Sequence, residues 1–223
     1  MKYAVRYLTF FVLCFCLSSC LQAQDAPFAG EIAAFKKSDS LHFPPSNAIL
    51  FVGSSSFTKW VDVQDYFPGY TIINRGFGGS SLPDVIRYAG DIIFPYNPKQ
   101  VVIYCGENDL AASDTVTGTT VYNRFIRLFD MIRNRLPGAA IAFVSMKPSP
   151  SRVHLFEKMK NGNSMIRDFL KTKKNVDYID VYSHMLNQDG TPIQEIFLED
   201  NLHMNPKGYA IWKKEFLPYL LKK

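Results

Sequence analysis

Four short stretches of this chain carry the residue types that acyl-transfer chemistry needs. Gly53-Ser54-Ser55-Ser56 sets three hydroxyls behind a glycine. Serine is a poor nucleophile until a base removes its proton, and histidine can do that near neutral pH. His203 is a candidate base. Asp200 lies three residues before it, so one turn of chain could bring a carboxylate to the imidazole and fix its tautomer. The oxyanion formed on attack needs preorganised N–H donors. Gly79, in Gly76-Phe77-Gly78-Gly79-Ser80-Ser81, and the side-chain amide of Asn108, in Gly106-Glu107-Asn108-Asp109, would suit, with a third donor from the backbone at Ser55. Asp180 and His184 make a rival carboxylate–imidazole pair.

Each piece also has a plainer reading. Ser55 after a strand suits a helix N-cap, and the glycines suit a turn that needs positive φ. Asn108 and Asp109 suit an Asx turn or a cap. His203 suits a surface site, and His42 and His154 have no pattern around them. Cys105 and Glu107 read as packing and solvent contact, and Lys147 as either a pocket wall or a solvated side chain. The four histidines are scattered, without the close spacing of a zinc site, so no metal or cofactor is expected.

The elements that must position these residues follow from punctuation and periodicity. Short apolar runs predict five strands, at Ile49–Val52, Tyr70–Asn74, Val101–Cys105, Ala140–Ser145 and Val176–Val181. Helical spacing predicts helices over Phe28–Ser40, Leu82 to about Phe94, Thr119–Leu136, Arg152–Lys171 and Pro206 to about Leu221. Pro137-Gly138 stops the third of these, and Lys147-Pro148-Ser149-Pro150 is a rigid loop. Alternation of this kind implies right-handed crossovers. The expected fold is α/β: a three-layer, flavodoxin-like, parallel five-stranded sheet with helices on both faces. In such sheets ligands bind at the carboxyl ends of the strands, where Ser54–Ser56, Gly76–Ser81, Gly106–Asp109 and Lys147–Ser149 fall, with Glu199–His203 a fifth stretch farther along, before the last helix.

The 223 residues suffice for one core, with 47% hydrophobic and 20% charged residues. The formal charge of +5 includes Lys2 and Arg6, and without them +3 remains, too mild a balance to argue for nucleic acid. Those two residues open a targeting segment, residues 1–23, whose apolar run Leu8–Leu17 is too short to span a membrane. Residues 24–223 form the single expected domain. Leu17-Ser18-Ser19-Cys20 resembles a bacterial lipobox, in which Cys20 would be lipidated and anchor the chain to a membrane. Leu21-Gln22-Ala23 would instead suit ordinary cleavage after Ala23. Either cut implies export to the periplasm, the outer membrane or the medium. Cys105 is then alone in the body, so no internal disulfide is expected.

Taken together, Gly53-Ser54-Ser55-Ser56, Asn74-x-Gly76-x-x-Gly79, Gly106-x-Asn108-Asp109 and Asp200-x-x-His203 resemble, in order, the four blocks of the SGNH (GDSL-type) hydrolases. The resemblance implies Ser55 as nucleophile, Asp200 and His203 as the rest of a triad, and Ser55, Gly79 and Asn108 as oxyanion donors. It implies metal-free ester hydrolysis through an acyl-enzyme. The expected activity is that of an exported esterase acting on short acyl groups, with acetyl esters of carbohydrate favoured. A lysophospholipase, a thioesterase, or a non-catalytic glycan-binding or scaffold protein are the alternatives. The first block commonly reads Gly-Asp-Ser, and Ser54 stands here where the aspartate would be. Trp60 falls where family members often carry a tryptophan, which holds the register.

Overall fold

A computed structural model describes residues 26–222. The segment 1–23, Cys20 included, lies outside them. Five parallel strands run β1 (Ile49–Gly53), β2 (Ile72–Gly76), β3 (Gln100–Tyr104), β4 (Ala140–Val144) and β5 (Val176–Ile179). Their order in the sheet is β2-β1-β3-β4-β5, the flavodoxin-like order expected from the sequence. The chain moves outward from β1 to β2, then crosses back over β1 to β3. The switch point therefore lies between β1 and β3, where Gly53 pairs with Tyr104. A crevice must open there, because the connections leave in opposite directions.

Both faces of the sheet are covered, which is why β1, β3 and β4 are buried at every position. Leu50, Val52, Val101, Ile103, Ile141 and Phe143 point to one face. There they meet α1 (Ala29–Leu41), α4 (Leu82–Ile92), α6 (Gly118–Arg135) and α7 (Phe156–Lys171). Ile49, Phe51, Val102, Tyr104, Ala142 and Val144 point to the other. There they meet two single-turn helices, α2 (Ser55–Thr58) and α3 (Val63–Tyr66), and the last helix, α8 (Pro206–Phe216). One further short helix, α5 (Glu107–Ala111), follows β3. No helix among the described residues is long and apolar enough to cross a membrane.

The second face is almost wholly aromatic beneath α2. Phe57 stacks on Phe51 at 4.8 Å, Trp60 stacks on Tyr209 at 4.7 Å, and Trp212 stacks on Phe216 at 5.5 Å. All but Tyr209 are fully buried. Burying each such ring contributes roughly 1.5–3 kcal/mol, and a four-residue helix has little stability of its own. This packing, rather than helix propensity, holds the turn that begins at Ser55. The Tyr209 hydroxyl adds a hydrogen bond to the Ser56 carbonyl at 2.9 Å, tying α8 to the same turn.

The predicted helix over 152–171 differs in its first turn. Residues 150–155 form a 3-10 turn, and the α-helix starts only at Phe156. Arg152 sits at φ −121°, ψ 22°, outside helical values, so its side chain leaves the helical path. The fifth strand ends at Ile179 rather than Val181, because the Ser145 hydroxyl takes the N–H groups of Val181 and Tyr182.

Candidate active site

The chain turns from β1 into α2 at Gly53, with φ 136°, where a side chain would collide with the Tyr104 carbonyl. Glycine is required twice over, by the backbone angle and by the close approach of β3. Ser54 is extended, and Ser55 opens α2. The second block closes on the same turn. The Asn74 side chain donates to the Phe57 carbonyl at 2.7 Å and accepts from the Gly76 N–H at 3.0 Å. Gly76 lies so close to Phe57 that a β-carbon would meet Phe57 Cβ at 2.5 Å. The spacing Asn74-x-Gly76 thus has a packing cause.

His203 arrives from far along the chain. The Leu198 N–H donates to the His203 carbonyl at 2.8 Å, and Phe197 pairs antiparallel with Met204, forming a tight loop with Asn201 in the left-handed region. Within it, Asp200 Oδ1 accepts the N–H groups of Leu202 (3.0 Å) and His203 (2.9 Å), leaving Oδ2 2.6 Å from His203 Nδ1. On the other edge of the ring, His203 Nε2 is 3.0 Å from Ser55 Oγ. Partial burial works against the Asp200 carboxylate, but the imidazole and the two backbone N–H groups together hold it well below the ordinary range. Ser55, His203 and Asp200 therefore form a continuous chain of hydrogen bonds, the geometry of base-assisted nucleophilic attack.

The three donor candidates flank it. Ser55, Gly79 and Asn108 line one cleft of about 410 Å³ together with Thr58, Lys59, Gly78, Arg152, Leu202 and His203. Neither the Ser55 nor the Gly79 N–H has an acceptor among the described residues. Asn108 Nδ2 donates to Ser54 Oγ at 2.9 Å and to the Ser80 carbonyl at 3.1 Å. Ser54, standing at the aspartate position, thus accepts a hydrogen bond from the third block. Asp109 is neither an Asx turn nor a cap of its own helix. It is buried, accepting from the Leu82 N–H at the start of α4 (2.9 Å) and from Arg124 (2.7 Å). Burial raises its carboxyl pKa against those bonds.

Three charged residues carry more than their sequence context suggested. Lys147, expected at a pocket wall or in solvent, is fully buried, as is Glu107, and Lys147 Nζ lies 2.9 Å from Glu107 Oε1. Arg152 Nη1 lies 3.3 Å from the same oxygen, and its Nη2 donates to Asn108 Oδ1 at 2.7 Å. Burial disfavours the Glu107 carboxylate, but two cations outweigh it and hold its pKa below the ordinary value. Burial lowers Lys147, against the pull of Glu107. The only sequence signal for this cluster was the rigid Pro148–Pro150 loop at a strand's carboxyl end, with a cation on each side of it.

The rival pair is split. Asp180 binds the N–H and hydroxyl of Ser183, at 3.1 and 2.6 Å, while His184 faces Glu215 at 3.4 Å. Neither lines the cleft of Ser55. Cys105 is buried, as expected, its thiol 3.4 Å from the Ser80 carbonyl.

Comparison with known proteins agrees with this architecture. A GDSL-like lipase from Bacteroides thetaiotaomicron is 18% identical, with a TM-score of 0.72 over 84% of this chain and 95% of that one. An acetylxylan esterase from Geobacillus stearothermophilus is 15% identical, with a TM-score of 0.62 over 78% and 94%. At those identities the likeness is one of fold. An N-acylneuraminate cytidylyltransferase of Escherichia coli is 24% identical over 178 residues, 78% of this chain but 40% of that protein, so the chain spans well under half its length. Residues 51–211 match the sequence model of the GDSL-like lipase/acylhydrolase family, and the chain belongs to that family of hydrolases.

Proposed function

We propose that this chain is an exported serine esterase that hydrolyses short acyl esters, O-acetyl esters of carbohydrate foremost, through Ser55, His203 and Asp200. The observation that carries it is the relay of 3.0 and 2.6 Å ending at Ser55 on a cleft wall. In the proposed cycle, Ser55 Oγ attacks the ester carbonyl while His203 Nε2 takes its proton, and Asp200 stabilises the imidazolium. The N–H groups of Ser55 and Gly79 receive the oxyanion, and the Asn108 amide joins them by turning to it the proton now given to Ser54 Oγ. Collapse breaks the bond to the alcohol oxygen, which leaves with the proton from Nε2. Water then attacks the acyl-enzyme, giving a proton to Nε2, and collapse breaks the acyl bond to Ser55 Oγ, which takes that proton back as the acid leaves.

Small acyl groups are favoured because Leu202 is the one hydrophobic residue at the cleft, whose other apolar surface is the carbon of polar residues and glycines rather than a wall of hydrophobic side chains for a long acyl chain. A polar alcohol suits the cation Lys59 in the same cleft. Carbohydrate is carried over from similar proteins, one an acetylxylan esterase and one named for an N-acylneuraminate. Export follows from residues 1–23, with Cys20 lipidated or the cut after Ala23.

A fluorophosphonate probe tests the core of the proposal. Wild-type chain should label at Ser55 and Ser55→Ala should not, with loss of esterase activity. Undiminished activity in Ser55→Ala would refute the triad, and no activity at all would favour a glycan-binding or scaffold role. A series from acetyl to palmitoyl esters tests the acyl group, and faster turnover of long chains would replace it with a lysophospholipase or thioesterase reading. Release of acetate from acetylated glycans tests the alcohol, and mass spectrometry of the mature N-terminus tests the cut.

A further inference from the structure

We infer that Arg152 is a positioning residue that fixes which end of the Asn108 side chain faces the oxyanion. The inference rests on the esterase reading above. An amide side chain has one accepting and one donating end, and only the donating end can receive an oxyanion. Here the two ends meet partners that cannot exchange roles. A guanidinium only donates, so the atom 2.7 Å from Arg152 Nη2 must be the amide oxygen. A backbone carbonyl only accepts, so the atom 3.1 Å from the Ser80 oxygen must be the amide nitrogen. A flipped Asn108 would set oxygen against carbonyl and NH2 against guanidinium, losing both bonds. Ser54 cannot make this choice, because its hydroxyl both donates and accepts.

Arg152 is itself held. Its Nη1 lies 3.3 Å from Glu107 Oε1, and that carboxylate is anchored by fully buried Lys147 at 2.9 Å. Glu107 and Asn108 are neighbours at the start of α5, while Lys147 and Arg152 flank the loop after β4. The pair of cations thus clamps two consecutive side chains of the third block from a different strand-end loop. Because Lys147 keeps Glu107 paired, removing the guanidinium does not strand a buried carboxylate. The Arg152 side chain is 14% exposed and lines the cleft beside Asn108.

A double-mutant cycle with Arg152→Met and Asn108→Ala tests the inference, read by the rate of fluorophosphonate labelling at Ser55 and by kcat and KM for an acetyl ester. Removing an oxyanion donor typically costs ~10²–10³-fold in kcat, and loosening one should cost less. Arg152→Met is expected to slow labelling and kcat by about 10–100-fold with KM within about 3-fold. In the Asn108→Ala background the same change should cost less than about 3-fold. Additive losses would overturn the positioning role, and so would a rise in KM alone, which would make Arg152 a substrate ligand. Should Arg152→Met fail to fold, Arg152→Lys replaces it, expected to recover less than a tenth of wild-type kcat because one ammonium cannot reach both Glu107 and Asn108. The ¹⁵N-bonded side-chain proton pair of Asn108, assigned by its loss in Asn108→Ala, reads the contact without catalysis. It should shift or broaden in the Arg152 variant. A wild-type chain that takes no label refutes the triad; the amide resonances then decide the contact alone, and unchanged resonances overturn it.

Discussion

Replacing Asp200 by asparagine should be more damaging than replacing it by alanine. Asp200 Oδ1 is held by the N–H groups of Leu202 and His203 at 3.0 and 2.9 Å, and only Oδ2 faces His203 Nδ1. In Asp200→Asn those N–H groups keep the oxygen where it is, so the NH2 end must face Nδ1. The imidazole can then satisfy that donor only with Nδ1 unprotonated, which puts its proton on Nε2, opposite Ser55 Oγ. A protonated Nε2 cannot accept the serine proton. A substitution of this kind that locks the wrong tautomer costs about 10⁴ in kcat elsewhere, equivalent to ~5.5 kcal/mol of barrier. Alanine leaves a different situation. The Asp200 side chain is 47% exposed, so water can enter and accept from Nδ1–H, preserving the productive tautomer. The loss should be smaller than for asparagine, and because both variants lack the charge, the gap between them measures the tautomer lock. Steady-state hydrolysis of p-nitrophenyl acetate, with thermal melts to show equal folding, separates the two. Formate should restore part of the activity in Asp200→Ala and none in Asp200→Asn. Equal losses, or a more active asparagine variant, would refute the tautomer argument.

Ser54→Ala should keep kcat within about 3-fold, because Ser80 and Arg152 orient Asn108 without it and Ser54 makes no cap bond to α2; a larger loss in a folded variant would make Ser54 part of the site. Glu107 holds its proton less tightly folded than unfolded, so its stabilisation is present above the ordinary carboxylate value of about 4.3 and is lost as pH falls through the lowered folded value. Urea melts from pH 5 down to 2 should therefore show a shallower acid slope in Glu107→Gln than in wild type, and equal slopes would refute the pairing. Glu31 of α1 accepts the Gly78 N–H at 2.8 Å, beside the Gly79 donor. Glu31→Ala should lower kcat by about 3–10-fold at nearly unchanged KM, on the scale of one positioned hydrogen bond; an unchanged kcat would show that the glycine loop holds itself.

Much of the fold was legible because its signals are local. Runs such as Ile49–Val52 and Ala140–Val144 are buried on both faces, so burial and sequence pattern coincide. Asp200 and His203 were legible as a pair because three residues of chain span the distance. Ser55 was harder to single out. The hydroxyls of Ser54, Ser55 and Ser56 are equivalent until a partner 148 residues away reaches one of them. The first turn of the predicted fourth helix was misread because Arg152 leaves helical geometry, and its partners lie in another loop.

By itself the sequence determined the alternation of strands and helices, their parallel arrangement, and the four stretches that land at strand ends. Those depend on short-range periodicity, glycine and proline chemistry, and the handedness of crossovers. Tertiary structure alone decided the fate of the charges. Glu107 read as packing and solvent contact, Lys147 as a pocket wall or a solvated side chain, and Arg152 as the first residue of a helix, because a charged side chain is ordinarily exposed. Glu107 and Lys147 are buried, with Arg152 half-buried beside them, only because two cations and one carboxylate, 40 and 45 positions apart, arrive together at the ends of β3 and β4. Pairing across that distance is invisible to spacing, and desolvation makes it obligatory once the strands align. The same is true of Ser55, whose partner His203 reaches it only when the loop after β5 folds back over the switch point.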